Sequence, residues 1–174
     1  MDKDIRDRYF GNNWNPNYDH YTYSGWALLD KVKETDSIID IGCGFNLFKE
    51  HWNERMWGID PANTKADELV GIMEFKPTKE YDVAIILGSL NFGTAEDVEP
   101  QVEKAVSLIK PGGRLYWRQN PGLGDHPWKG VDEIVFFPWS IELNYSWADK
   151  YGCKVIECKW DGDSDRIYAE WQKI

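Results

Sequence analysis

The chain has 174 residues, and 30 Asp and Glu outweigh 20 Lys and Arg to give a net charge of −10. That length suits one domain that buries about two thirds of its unfolded surface. The acidic balance argues against nucleic acid as a partner, because phosphate backbones are held by Lys and Arg.

Met1 to Arg8 alternates charges without an apolar core, and no run nears the ~20 apolar residues that span a bilayer, so a cytoplasmic protein off the membrane is expected. Residues 9–26 carry Tyr9, Phe10, Trp14, Tyr18, Tyr21, Tyr23 and Trp26 among Asn, Gly and Pro, a turn-rich pattern. We expect residues 1–23 to form an aromatic arm, packed on the domain or lying over a ligand as a lid. Residues 24–174 would be the α/β core of the single domain. A helix is predicted next, with Ser24 as N-cap and Leu28, Leu29 and Val32 on its inner face.

Ser37–Ile41 is an Ile-rich run of the kind buried on both faces of a parallel sheet. It leads into Asp40-Ile41-Gly42-Cys43-Gly44-Phe45-Asn46. The glycines allow a tight turn and close approach to a ligand. A helix over 46–55 is expected to follow, its free N–H groups facing a carboxylate or phosphate. Residues 56–61 read as a second strand ending in Asp60, at about the distance from Gly42 at which an acid meets ribose hydroxyls in nucleotide-binding βαβ units. Residues 61–81 leave room only for a short helix at 65–69 and a short strand at 70–74.

Tyr81 to Gly88 is the next buried strand, and Asp82 at its start is expected to serve the fold. The loop Ser89-Leu90-Asn91-Phe92-Gly93 follows. Val98, Val102, Ala105, Val106 and Ile109 keep helical spacing up to Lys110-Pro111-Gly112-Gly113, which should turn the chain into a strand over 114–119. Residues 120–135 read as loop and contain His126. A helix over 140–151 stops at Gly152, and strands over 153–160 and 166–172 form a hairpin, with Ile167, Ala169 and Trp171 on one face. Cys153 and Cys158 should face opposite sides of their strand. With Cys43 they are three, an odd set with no zinc spacing, and the three scattered histidines complete no metal site. Ten Trp, nine Tyr and seven Phe are mostly core, with enough left over to line a pocket.

Asp-x-Gly-x-Gly, an acid closing the second strand, Tyr81-Asp82-Val83, Lys110-Pro111-Gly112-Gly113 and a closing hairpin, in that order, resemble the class I S-adenosylmethionine (SAM) methyltransferases. The resemblance covers about residues 24–174. Asn46 stands where that family usually has a third glycine, and Asn accepts left-handed backbone better than most residues. A dinucleotide fingerprint would need glycine where Leu47 stands. The resemblance implies a Rossmann-like three-layer sandwich, with a mostly parallel sheet and an antiparallel C-terminal hairpin. It implies SAM as cofactor, with Gly42, Cys43, Gly44 and Asn46 along its methionine and Asp40 organising the amino end. Asp60 and Pro61 would lie at the ribose, Glu74 (between Met73 and Phe75) at the adenine, and Gly88, Ser89 and Asn91 beside the methyl group. His126, as a base, and Asn91 are the candidate catalytic residues. The expected reaction is methyl transfer to a small-molecule acceptor. A protein or nucleic-acid acceptor, or a SAM- or partner-binding relative without turnover, is the alternative.

Overall fold

The computed structural model describes residues 3–10, 17–122, 134–162 and 165–174. Its elements are α1 (Lys3–Phe10), β1 (Ile38–Ile41), α2 (Lys49–Trp52), β2 (Met56–Ile59), β3 (Tyr81–Leu87), α3 (Ala95–Ser107), β4 (Ile109–Gln119), α4 (Ile141–Lys150), β5 (Cys153–Trp160) and β6 (Ile167–Lys173). Short 3-10 turns lie at Tyr18–His20, Gly25–Asp30 and Asn53–Arg55.

The strands form one sheet in the order β2-β1-β3-β4-β6-β5. The first four are parallel, and β6 runs antiparallel to both β4 and β5. Alternation along each strand feeds two apolar layers. Ile39, Ile41, Ala84 and Ile86 pack with Val98 and Val102 of α3 and Trp147 of α4. Ile38, Val83 and Ile85 pack on the other face with Phe48, Trp52 of α2, Leu28 and Tyr18. The expected three-layer architecture with its closing hairpin is what the chain adopts, and Ile167, Ala169 and Trp171 do share one buried face.

Several local expectations change. The helix after Ser24 is a 3-10 turn, and Ser24 does not cap it; its hydroxyl donates to Asp161 instead. The first crossover helix shrinks to α2, because residues 42–48 are spent on turns around the glycine loop. Residues 61–80 hold neither helix nor strand. Gly71 O accepts from both Glu74 N and Phe75 N, and that turn sends Ile72 and Phe75 into the core together, which a strand could not do. Asp67 anchors this connection by accepting from Gly58 N, Lys49 Nζ and Asn46 Nδ2. Burial pushes its carboxyl up, but those bonds hold it below its ordinary value. Pro111-Gly112-Gly113 is looped out within β4 rather than preceding it: Tyr81 pairs with Ile109, and Val83 already with Arg114. On β5 a bulge between Val155 and Glu157 shifts the register by one, so Cys153 and Cys158 pack toward the same layer, not opposite ones. Asp82 serves the fold as expected: it accepts from Ser37 N, Ser37 Oγ and Lys110 Nζ. Among the described residues no helix is long and apolar enough to cross a membrane.

Candidate functional site

A cavity of about 670 Å³ opens at the carboxyl ends of β1, β2, β3 and β4. Open parallel sheets place ligands at this edge. The volume lies within the range of about 300–1,000 Å³ typical of small-molecule sites. Gly42, Cys43, Gly44, Asp60, Pro61, Glu74, Gly88, Ser89 and Asn91 all line it. The structure therefore gathers nine of the sequence-nominated residues from four separate stretches of chain.

The glycine loop works differently from the expected ring of free N–H groups. Gly42 N and Cys43 N donate to Ile59 O of β2, and Gly44 N donates to Asp60 Oδ2 at 3.0 Å. No helix dipole stands behind the loop either, since α2 begins only at Lys49 and runs four residues. What the loop offers is close approach. Gly42 and Gly44 have φ of +75° and +53°. A Cβ built at Gly44 meets no atom of the described residues within 4 Å, whereas one at Gly42 would strike Ser89 Cβ at 2.2 Å. Ser89 is held there because its hydroxyl donates to Ile41 O.

Asn46 does take a left-handed backbone, φ +58°, as a glycine substitute should. Its side chain, however, turns away from the cavity and donates to Lys65 O and Asp67. Asp40 also lies off the cavity lining, 3% exposed beneath the loop. Burial, and then the charge of Asp60, push its carboxyl up to about 8, against the opposing pull of Arg118. Asp60 is anchored on both oxygens: Oδ1 accepts from Ala62 N and Asn63 N, each at 2.8 Å, and Oδ2 from Gly44 N. A carboxylate has about four lone-pair sites, so roughly one remains for a ligand rather than enough for two hydroxyls. Of the adenine trio, Met73 and Glu74 reach the cavity, while Phe75 is buried in the core. His126 lies outside the described residues.

The far side of the cavity is aromatic. Phe10 of α1 meets Phe92 with ring centroids 5.0 Å apart, and Phe92 meets Phe136 at 5.5 Å. Tyr9, Tyr18 and Tyr21 complete this wall. Arg118, near the end of β4, is a charged lining residue that sequence reasoning missed. Within Leu115-Tyr116-Trp117-Arg118-Gln119 it sits in a strand buried throughout, and a charge there was the available signal.

No protein-family model and no curated protein sequence matches the chain. Solved structures do. The Burkholderia thailandensis 1,6-didemethyltoxoflavin-N1-methyltransferase, with its substrate and S-adenosylhomocysteine bound, matches with a TM-score of 0.63 and 10% identity over 79% of this chain and 71% of its own. The Synechocystis magnesium protoporphyrin IX methyltransferase with bound SAM matches at 0.64 and 12% identity, over 86% and 75%. A complex between a Haloferax volcanii methyltransferase activator and the putative methyltransferase matches at 0.68 and 17% identity, over 88% and 90%. The fold is that of the class I SAM-dependent methyltransferases.

Proposed function

We propose that this protein binds SAM in the cavity and transfers its methyl group to a small-molecule acceptor. The observation that carries the reading is the open backbone at Gly44, tied to the buried Asp60 at a cavity with an aromatic wall. A sulfonium brings its methyl group already activated, so the protein's share is alignment and exclusion of water, and good positioning is worth about 7–11 kcal/mol. The residues fit that group. The bare Gly44 admits a thioether chain against the backbone, and Asp60 offers its remaining lone pair to a ribose hydroxyl. Met73 and Glu74 border the space for a base. Ser89 and Asn91 stand at the tip of β3, where the donor and acceptor halves of the cavity meet. Gly42, Cys43, Pro61 and Gly88 contribute walls. Asn46 and Asp40 act through the loop they support. Phe92, Phe136 and Phe10 suit a small apolar or aromatic acceptor. The neighbours named for small-molecule acceptors, one of them with its acceptor bound, support this choice over a macromolecule. A relative that binds ligand without turnover is the second reading, favoured by the short connection over 61–80.

Calorimetric titration with S-adenosylhomocysteine tests cofactor binding, and a methyl-transfer screen over small nucleophiles tests turnover. Asp60→Ala should weaken the nucleoside by about 1.5–3 kcal/mol, the scale of a charge-assisted hydrogen bond. Wild-type affinity in a folded variant would remove Asp60 from the site.

A further inference from the structure

Arg118 is a buried cation that forms no ion pair with any carboxylate among the described residues. It is 3% exposed and packs between Tyr18 and Tyr21, its Cζ 5.6 Å and 4.0 Å from the two ring centroids. A guanidinium has five N–H donors. Here Nη2 donates to Leu87 O at 3.3 Å, and Nη1 has no hydrogen-bond partner among the described residues. Nor does any carboxylate among them pair with it. Asp161 accepts from Thr22 N, Tyr23 N and Ser24 Oγ, and its charge favours the guanidinium without an ion pair between them. Asp40 feels the guanidinium's charge, but its raised proton affinity makes it a poor anion at neutral pH. Leaving a buried charge uncompensated is strongly unfavourable, and in a chain of net charge −10 it would be simple to avoid.

A second nitrogen converges on the same place. A Cβ built at Gly88 would lie 3.6 Å from Arg118 Nη2 and 3.7 Å from Asn91 Nδ2. Asn91 is fixed in that sense because its Oδ1 accepts from Asn120 N at 3.2 Å. Two nitrogen donors, one of them charged, thus flank the bare backbone of Gly88 at the cavity wall, between the glycine loop and Phe92. A single planar positive charge with one amide donor matches a carboxylate, which is planar and singly charged.

We propose that Arg118 and Asn91 bind the carboxylate of a small molecule held in this cavity. What that molecule is rests on the methyltransferase reading: the carboxylate belongs either to the amino-acid end of SAM or to the acceptor. Two probe pairs separate these sources in the full chain. S-adenosylhomocysteine is titrated against its decarboxylated analogue, which keeps the ammonium. Benzoate is titrated against benzamide. In Arg118→Gln, the preference for the charged member of one pair should fall at least about tenfold, the scale of one charge-assisted hydrogen bond. The pair that responds names the source. Because each preference is a ratio within one variant, a general loss of folded protein cancels. If Arg118→Gln does not fold, Arg118→Lys is measured instead, and a drop of about threefold or more in the same ratio is expected from loss of the planar fork. Unchanged ratios in both pairs, or no preference for the charged member in the wild type, overturn the proposal. If neither nucleoside binds the wild type, the methyltransferase reading fails, and the benzoate pair alone decides the carboxylate site.

Discussion

Asp40 and the two loop glycines hold the residue-scale consequences. Asp40 is buried among Asp60, Arg118 and Tyr18, and its carboxyl is pushed up to about 8, first by burial and then by Asp60. An unfolded Asp ionises near 3.9. Between those values the unfolded chain has given up a proton that the folded chain keeps. This residue's contribution is therefore present at pH 4 and is lost as pH rises toward 8. Asp40→Asn should stabilise the ligand-free protein by about 2 kcal/mol or more at pH 7.5 and by little at pH 4. Thermal unfolding at the two pH values checks this, and an equal effect at both would contradict it. The glycines separate folding from binding. Gly42→Ala drives a methyl group into Ser89 Cβ at a positive φ and should cost about 2–4 kcal/mol of stability. Gly44→Ala meets no atom of the described residues within 4 Å, so it should cost about 1 kcal/mol through its backbone alone. Its methyl group projects into open space, where it should abolish binding of S-adenosylhomocysteine. Tight binding by folded Gly44→Ala would sink the placement of the nucleoside against this loop.

At the scale of elements, the first described turns are fastened to the far hairpin. Asp161, directly after β5, is fully buried and accepts from Thr22 N, Tyr23 N and Ser24 Oγ. This clamp sets Tyr18 and Tyr21 over Arg118 and packs Tyr18 against Phe48, centroids 5.2 Å apart. Residues 17–24 are thus partly core, so a truncation through residue 22 would open the apolar layer around Leu28. Asp161→Ala should cost about 2–4 kcal/mol, because it leaves buried donors unpaired. Amides of 18–24 should then exchange faster, while those of β1 and β3 stay protected. Uniform loss of protection would show instead that the clamp holds the whole domain.

Over the whole molecule, a permanent sheet carries a lighter cover. Strand pairing joins β1, β3, β4 and β6 into a buried centre. By contrast α1 contains no buried residue, yet Arg6, Tyr9 and Phe10 line the cavity. We infer that α1, rather than the entire aromatic arm, covers bound ligand and excludes water. Removing residues 1–10 should leave the unfolding temperature within a few degrees of wild type and weaken S-adenosylhomocysteine binding. Hydrogen exchange supplies the direct reading: amides of 3–10 should gain protection with the nucleoside. If only the 40–46 loop responds, α1 is ordinary surface.

The main strands outside 61–80, their buried faces and the position of the glycine loop were legible in the sequence because they follow from short-range pattern. Ile38-Ile39, the run at 81–88 and the spacing from Val98 to Val106 state their own period. Tertiary contact decided what happened where pattern is weak or a single residue shifts it. The bulge at Val155–Glu157 put both hairpin cysteines on one side, and the Gly71–Phe75 turn replaced a strand because Ile72 and Phe75 had one core to fill. The loop N–H groups were claimed by Ile59 O and Asp60, acceptors far away in sequence, so local motif chemistry could not tell that they were spent. Arg118 shows the same limit most clearly. Its charge is plain in the sequence, but that no described carboxylate pairs with it depends on where Asp161, Asp40 and Tyr21 fall in space, and only the folded chain fixes that.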